Sequence, residues 1–557
     1  MDPFIDSDSD TGLDQLLAQV VLQSSSSSDS SSDLFSSTGT DSDFNPESIK
    51  WSEQPNSTRQ RRRRWNILKK PHGLATPEAY VTSRKAAFDL YFTPEIKSEI
   101  VKWTNIKMAA KYPDESPIDI IELDAFVGLL LHAGRMGFGS RHFNDIWTTD
   151  RMDRMEIYGA TMGRRRFCTI LSALRFDDLA TRNIRKQTDR LAAFRTVSDL
   201  FAEACRKHFN PGAQLTVDER MVPFKGNATF RVFTANKPDK YGIKLWLLVD
   251  AEFHYILNFD TYLGKIGDVA EKEQGKRVVL QLTDYLDDGY NITTDNFFTS
   301  AKLAMKLLQK NKTLLGTLRS QRKEVPPEMK ANPARPLHSS IFRFWEHLTM
   351  ASYVPKKNKA VIMLSTEHYT AEVSNDPDDK EKPKMILEYN RSKCGVDIVD
   401  KKVKEYTVRR ATRRWTMALF FNLIDLANIN SHVIWNQNQI REAKEERKDF
   451  MKQLTLELVG EHAKRRSLNS KLQTDLLQSV KALAIISSQS SLSGSSSQVT
   501  ASTSSSTIDE PSPVAASGRC GKCGSSKRSR TAMKCCKCNA FVCSTHRYNI
   551  CLDCREN

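Results

Sequence analysis

With 557 residues the chain is longer than one ordinary domain and can bury at least one sizeable core. Its formal net charge of +16 is uneven: residues 1–58 hold eleven acids and one lysine, net −10, which leaves +26 on the remainder. A body that basic points to a polyanion, although charge alone does not separate DNA from RNA or an acidic surface. The acidic opening lacks the charged-then-apolar start of a secretory leader. The richest apolar run, Met417 to Ile429, is broken by Asn422 and Asp425, so no bilayer span and no membrane partner are expected. Together these features predict a soluble intracellular protein.

Residues 1–58 are rich in Ser and Asp and cannot bury enough apolar surface to order themselves. The sign of the charge flips at Arg59-Gln-Arg-Arg-Arg-Arg64, followed by Trp65, a run that reads as a nuclear-import signal or a phosphate-gripping arm. We take 1–75 as this acidic tail and basic arm. From about Pro77 to Phe209 apolar residues recur at three and four, which predicts a helical region over 76–212.

The texture changes near Pro211. Gln214–Val222, Tyr241–Val249 and His254–Tyr262 read as strands, Lys276–Leu286 as a helix, Tyr290–Thr294 as a strand, Thr299–Lys310 as a helix and Thr313–Arg319 as a fifth strand. The order β-β-β-α-β-α-β is the layout of an RNase H-like α/β sheet, whose first and fourth strands lie side by side and parallel, with right-handed crossovers. This core is assigned to 213–321 and 387–406. Pro-rich loops and short strands over 322–386 read as an insertion that splits it. Val396–Glu405 is expected to be a helix and Met417–Trp435 an apolar one, so that 407–486 is a second helical part. A Ser-rich tether follows over 487–518.

Four aspartates stand out in this layout. Asp218 falls inside a hydrophobic strand, where an unpaired charge is costly unless a cation compensates it. Asp295 sits at a strand end, where open α/β sheets place ligands. Asp397 and Asp400 share one helix face. Glu219 alternates to the other side of its strand from Asp218 and is left out. Carboxylates converging from distant points hold paired divalent metals, here two Mg²⁺ with Mn²⁺ as a substitute, about 3.5–4 Å apart, and such pairs cut and join phosphodiesters. The alternative is an acidic ion-pair network with nearby Lys and Arg.

The blocks Leu215–Arg220, Asn236–Lys244, Thr294-Asp-Asn-Phe-Phe-Thr-Ser300, Gly316-Thr-Leu-Arg-Ser320, Tyr389-Asn-Arg-Ser-Lys-Cys-Gly-Val-Asp397 and Arg414–Leu419 resemble the piggyBac transposase family, in the family's order. The resemblance spans roughly 80–450 and the Cys-rich end; nothing before residue 60 is diagnostic. It implies Asp218, Asp295 and Asp397 as the acidic triad, with Asp400 the accompanying fourth acid. It also implies Mg²⁺-dependent cutting at transposon terminal inverted repeats through hairpin intermediates, joining to TTAA targets in double-stranded DNA, and a homodimer with an all-helical DNA-binding and dimerisation domain flanking the core. Arg319 and Arg322 would contact target DNA. Trp415 would lie near the active site or a displaced base, while its place at the start of an apolar helix equally suits a core role.

The terminal cysteines read C-x2-C-x11-C-x2-C-x4-C-x2-H-x4-C-x2-C, from Cys520, Cys523, Cys535, Cys538, Cys543, His546, Cys551 and Cys554. Four close pairs can fill two tetrahedral, structural zinc sites within 519–557. Cross-braced pairing (Cys520, Cys523, Cys543 and His546 in one site) is our choice, with sequential pairing as the alternative. Lys527, Arg528 and Arg530 lie in the longest loop, which suits the recognition of transposon-end DNA that the family implies. A histone-reading or ubiquitin-ligase module is the rival for this tail. The sequence as a whole reads as a nuclear DNA transposase; the competing reading is a domesticated, transposase-derived DNA- or chromatin-binding protein without transposition activity.

Overall fold

The computed structural model describes residues 45–55, 67–150, 152–235, 239–265, 271–438 and 444–493, with the backbone of 518–519 and 530–531. The chain separates into two compact units, Met1–Ser497 and Gln498–Asn557.

Among the described residues of the first unit, eight helices precede the sheet: α1 (Arg84–Asp89), α2 (Pro94–Lys111), α3 (Ile120–Arg135), α4 (Phe143–Ile146), α5 (Glu156–Thr161), α6 (Arg164–Ala173), α7 (Leu179–Thr188) and α8 (Arg195–Lys207). Their starts follow local chemistry. Thr93 caps α2 ahead of Pro94, and Asp119 caps α3 by accepting the Glu122 N–H at 2.8 Å, which satisfies donors that a helix N-terminus leaves open.

The sheet strands are β1 (Gln214–Pro223), β2 (Val232–Phe233), β3 (Tyr241–Asp250), β4 (Ile256–Thr261), β5 (Asn291–Thr294), β6 (Thr313–Thr317), β7 (Ser340–Trp345), β8 (Leu348–Lys356) and β9 (Lys359–Ser365). They form one nine-stranded sheet in the order β2-β3-β1-β5-β6-β9-β8-β7, with β4 also on β3. β1 runs antiparallel to β3, while β1, β5 and β6 are mutually parallel neighbours. Parallel neighbours need crossovers, and these are α9 (Gln274–Thr283), which lies in the connection from β4 to β5, and α10 (Ala301–Gln309), which joins β5 to β6. The strand and helix order expected from the sequence is therefore present, with β1 beside β5, except that the short strand β2 (Val232–Phe233) is an addition the sequence reading lacks.

The segment expected as an insertion behaves differently from a separate lobe. β9 pairs antiparallel with β6 (Leu364 opposite Gly316), so β7–β9 widen the same sheet. The reason lies in the sequence: Ala360-Val-Ile-Met-Leu364 offers a β-branched, apolar edge, and pairing it covers the otherwise open edge of β6.

Both faces of the sheet are covered. Thr293 bonds Ser392 on one face at 2.7 Å, and Thr294 bonds Thr299, at the entry to α10, on the other at 2.8 Å. Ser392 ends α11 (Lys384–Ser392), and α12 (Gly395–Glu405) follows directly, packed on β1. Three helices complete the unit: α13 (Trp415–Asn438), α14 (Arg447–Ser467) and α15 (Thr474–Ser493). α14 lies along α3, close enough that a Cβ on Gly128 would stand 2.9 Å from Val459 Cγ1. Helices from both ends of the unit thus join in one body around the sheet. α13 is long and apolar enough to cross a membrane by length and composition, which corrects the expectation that no stretch is. However, 94% of its most apolar window is buried in the protein, as suits a core helix.

Where α12 meets β1 there is no room for a side chain: a Cβ on Gly395 would lie 2.8 Å from Thr216 Oγ1. Gly395→Val is expected to lower the melting temperature by several degrees, the equivalent of about 1–3 kcal/mol of overpacking, in a thermal unfolding scan.

Candidate active site and nucleic-acid interface

Strand register brings the first two aspartates together. Val217 pairs with Thr294 across the parallel β1–β5 ladder, so Asp218 and Asp295 are each the next residue along. Side chains alternate along a strand, and the face is marked two residues back by the partners Thr216 and Thr293. Both bond Ser392: Thr216 Oγ1 donates to its carbonyl at 2.5 Å, and Thr293 meets its hydroxyl. Asp218 and Asp295 therefore share the face that α11 and α12 cover. The Glu219 N–H donates to Asp218 Oδ1 at 2.7 Å, and the Phe297 N–H to Asp295 Oδ1 at 2.8 Å.

Asp397 and Asp400 approach this face from α12. Gly395 rests on Thr216, and Asp400 accepts from Arg220 Nε at 2.5 Å, so the helix runs along the strand between contacts that bracket Asp218. Asp397 lies between these two anchor points and is exposed. Asp400 is committed to its ion pair with Arg220.

The local field favours a cation. Burial, followed by the nearby charge of Glu219, raises the Asp295 carboxyl above its ordinary value, against the lowering pull of the Phe297 and Phe298 amides and of Arg319. Tyr389 on α11 is raised likewise, chiefly by burial, with Asp295 and Asp218 adding negative charge beside its phenol. Asp218 and Asp295 lie near enough together for both to act on Tyr389, and hard carboxylate oxygens of this kind suit a divalent cation such as Mg²⁺ or Mn²⁺. Among the described residues, the one group of three ligand-type side chains whose donor atoms all lie within 4.8 Å of one another is elsewhere: Glu367, His368 and Glu388. There Ser365 Oγ accepts the N–H groups of Glu367 and His368 and lies 2.9 Å from His368 Nδ1, while His368 Nε2 stands 3.1 Å from a Glu388 carboxylate oxygen. That arrangement is a hydrogen-bonded brace between the end of β9 and α11.

The sequence reading passed over three groups. Glu219, set aside because it alternates away from Asp218, still contributes charge at Asp295 around the strand end, and it pairs with Lys244 at 3.7 Å. Tyr389 stands at the head of the block that ends in Asp397. Arg220 follows Asp218 by two residues, the spacing that puts it on the same face. That spacing was legible, but its buried partners were not.

Two basic clefts open on this unit. One, of about 1370 Å³, is lined by Arg319 and Arg322, by Phe297 and Phe298, and by Lys276 and Lys302 from the crossovers, with four carboxylates interspersed. The exposed Arg319 donates to Asn296 Oδ1 at 3.1 Å, one residue from Asp295. The other, of about 880 Å³, is lined by nine Arg and Lys residues, among them Arg182, Lys186, Arg231 and Arg413, and by no acid. Trp415 lies on its wall, half-buried, with its ring edge-on to Phe230 at 5.1 Å. Trp415 thus packs against the core as a partly buried aromatic and lines this cleft.

In the second unit Gly518–Arg519 pairs antiparallel with Arg530–Thr531. All eight expected zinc ligands, with Lys527, Arg528 and the side chain of Arg530, lie outside the described residues, as do the acidic opening before residue 45 and the basic run at 59–64.

A mixed α/β sheet carrying aspartates on neighbouring parallel strands, flanked by helices and basic clefts, is the arrangement of a nucleic-acid-processing protein. A family profile described as Transposase IS4 matches residues 83–432, more than half of the chain, and the chain belongs to that family. Its type is piggyBac. A chain from the cryo-EM structure of a piggyBac transposase synaptic complex with hairpin DNA is 31% identical, with a TM-score of 0.71, covering 87% of this chain and 100% of that one. Human PiggyBac transposable element-derived protein 3 is 23% identical over 344 residues, 59% of this chain and 57% of its own length. The human chimeric ERCC6-PGBD3 protein matches at the same identity over 32% of its length. The chain thus spans little more than half of the first of these curated relatives and about a third of the second.

Since burial raises the Asp295 carboxyl, the folded state keeps that proton to higher pH than the unfolded chain. The stabilisation this gives is present below the ordinary carboxylate value and is lost as pH rises through the raised one. In metal-free buffer at neutral pH, Asp295→Asn is expected to melt above the parent protein, and the two should converge near pH 3. Added Mg²⁺ should raise the melting temperature of the parent and leave that of the variant unmoved.

Proposed function

We propose that the chain is a cut-and-paste DNA transposase whose sheet is an RNase H-like catalytic core, with Asp218, Asp295 and Asp397 holding two Mg²⁺ ions at its carboxylate face. The observation that carries this reading is the parallel β1–β5 register, which makes Asp218 and Asp295 neighbours under α12. When bound, a pair of such ions supplies an activated water or 3′-hydroxyl and stabilises the leaving oxygen of an in-line displacement. The chain's own residues do the rest. Amide N–H groups hold one oxygen of each of Asp218 and Asp295, Arg319 stands beside Asp295 to meet a phosphate, and the Phe297–Phe298 cleft wall offers apolar surface to an unstacked base.

In this reading the basic clefts grip double-stranded DNA by its phosphates, and the solved relative's complex with hairpin DNA supports hairpin intermediates here as well. Terminal inverted repeats as the bound ends, TTAA as the target, a homodimer and a nuclear location belong to the same proposal. So does a cross-braced double-zinc module over 519–557 that reads end DNA. A second reading, a DNA- or chromatin-binding protein that no longer transposes, draws support from the human relative whose name calls it transposable element-derived.

The deciding assay is Mg²⁺-dependent nicking of DNA that carries the element's own ends. Asp295→Asn is expected to reduce strand cleavage by about 10³-fold or more, as the loss of groups that stabilise developing charge does, while end binding in a gel-shift stays within twofold of the parent, a margin set by the roughly tenfold that 1.4 kcal/mol represents. Retained cleavage would remove Asp295 from the site. A parent protein that binds ends without cutting would favour the second reading.

A further inference from the structure

We propose that Asp400 is a positioning residue that acts through Arg220, not a ligand of the metal pair: the chain Asp400–Arg220–Asn422, with Arg220 and Asn422 buried, latches α12 and α13 to β1 and holds a guanidinium away from Asp218. The inference rests on the two-metal reading of the Asp218–Asp295 face.

Arg220 follows Asp218 by two residues on β1 and so points from the same face. Its side chain is 4% exposed. Guanidinium cannot shed its charge, so a buried one is tolerated only with partners that take up its donors. Here Nε donates to Asp400 Oδ1 at 2.5 Å, and Nη1 donates to Asn422 Oδ1 on α13. One turn further along α13, the buried Asp425 accepts from Thr407 Oγ1 at 2.6 Å and from the Val408 N–H at 2.9 Å, which fixes the connection between α12 and α13. A strand, two helices and the loop between them are thus drawn together by one set of polar contacts. Asp397 lies one turn before Asp400 on the helix so held, and the latch sets its position over β1.

Charge gives the latch a second task. A cation rooted about 7 Å along the strand from Asp218 would repel metal ions at that carboxylate. Asp400 neutralises it, and the hydrogen bonds to Asp400 and Asn422 direct it toward α13. A ligand and a latch therefore differ in what happens when Arg220 is removed as well. Loss of a ligand is not repaired by losing a neighbouring arginine. Loss of Asp400 from a latch leaves the buried cation without its hydrogen-bonded ion pair, with Asp425 the remaining carboxyl near it, and taking that cation away relieves the defect.

The test compares the parent, Asp400→Asn, Arg220→Met and the double variant in the full chain, reading cleavage of end DNA against Mg²⁺ concentration and melting temperature without metal. Asp400→Asn is expected to raise the Mg²⁺ needed for half-maximal cleavage about tenfold and to lower the melting temperature, and the double variant to return the requirement to within about threefold of the parent. An equal rise in Asp400→Asn and in the double variant would overturn the electrostatic role, since removing the cation would then relieve nothing. A lowered melting temperature with an unchanged Mg²⁺ requirement would reduce it to a fold contact and overturn the electrostatic role. If Asp218→Asn cleaves like the parent, the two-metal reading fails by itself. The clamp is then decided by melting alone, upheld if the double variant recovers what Asp400→Asn loses and overturned if neither variant moves.

Discussion

The parallel pairing of β1 with β5 is the constraint on which the rest depends. With Val217 opposite Thr294, two aspartates 77 residues apart become lateral neighbours. A slip of one residue in either strand would turn a carboxylate to the other face and bring Val217 or Glu219, or Thr294 or Asn296, in its place. The register is held from both sides. Thr216 and Thr293 are tied to the same serine at the end of α11, and Thr294 is tied to Thr299 at the entry to α10. These bonds involve short, β-branched hydroxyl side chains with little freedom to relax elsewhere. They fix the ladder where the acids leave it.

On that base, the helices do two things. α11 and α12 lid the carboxylate face, carrying Tyr389 and Asp397 to it, while α13 supplies the apolar spine against which α12 is anchored. α14 then returns to α3, so the region before the sheet and the region after it share one core. The charge is arranged accordingly. The acids concentrate where the end of β5 meets the middle of β1, the acid-free cleft near Trp415 carries cations alone, and the cleft beside Arg319 mixes both signs. In the proposed reading, a phosphate backbone drawn to the cations would reach the acids only where divalent ions screen them.

Much of this was legible in the sequence. The strands and helices of the core show in their apolar periods, and Asp218 and Asp295 are marked by a charge inside an apolar strand and by one at a strand end. The addition of β7–β9 to the same sheet was less legible, because a short apolar strand in a Pro-rich segment carries no sign of which edge it will join. Arg220 escaped notice for a related reason. Its burial is decided by Asn422 and Asp400, some two hundred residues away, and a lone arginine in a strand reads as a surface charge until those partners are placed. Glu219 was judged by alternation, which governs the direction of a side chain but not the reach of its charge.

The central claim is that Asp218 and Asp295 grip common divalent ions, and the most direct measurement is anomalous scattering from crystals of the protein bound to end DNA and grown with Mn²⁺. The account predicts a manganese peak within coordination distance of both carboxylates, with a second metal bounded by Asp397. Peaks confined to Glu367, His368 and Glu388, or none at the β1–β5 face, would contradict it.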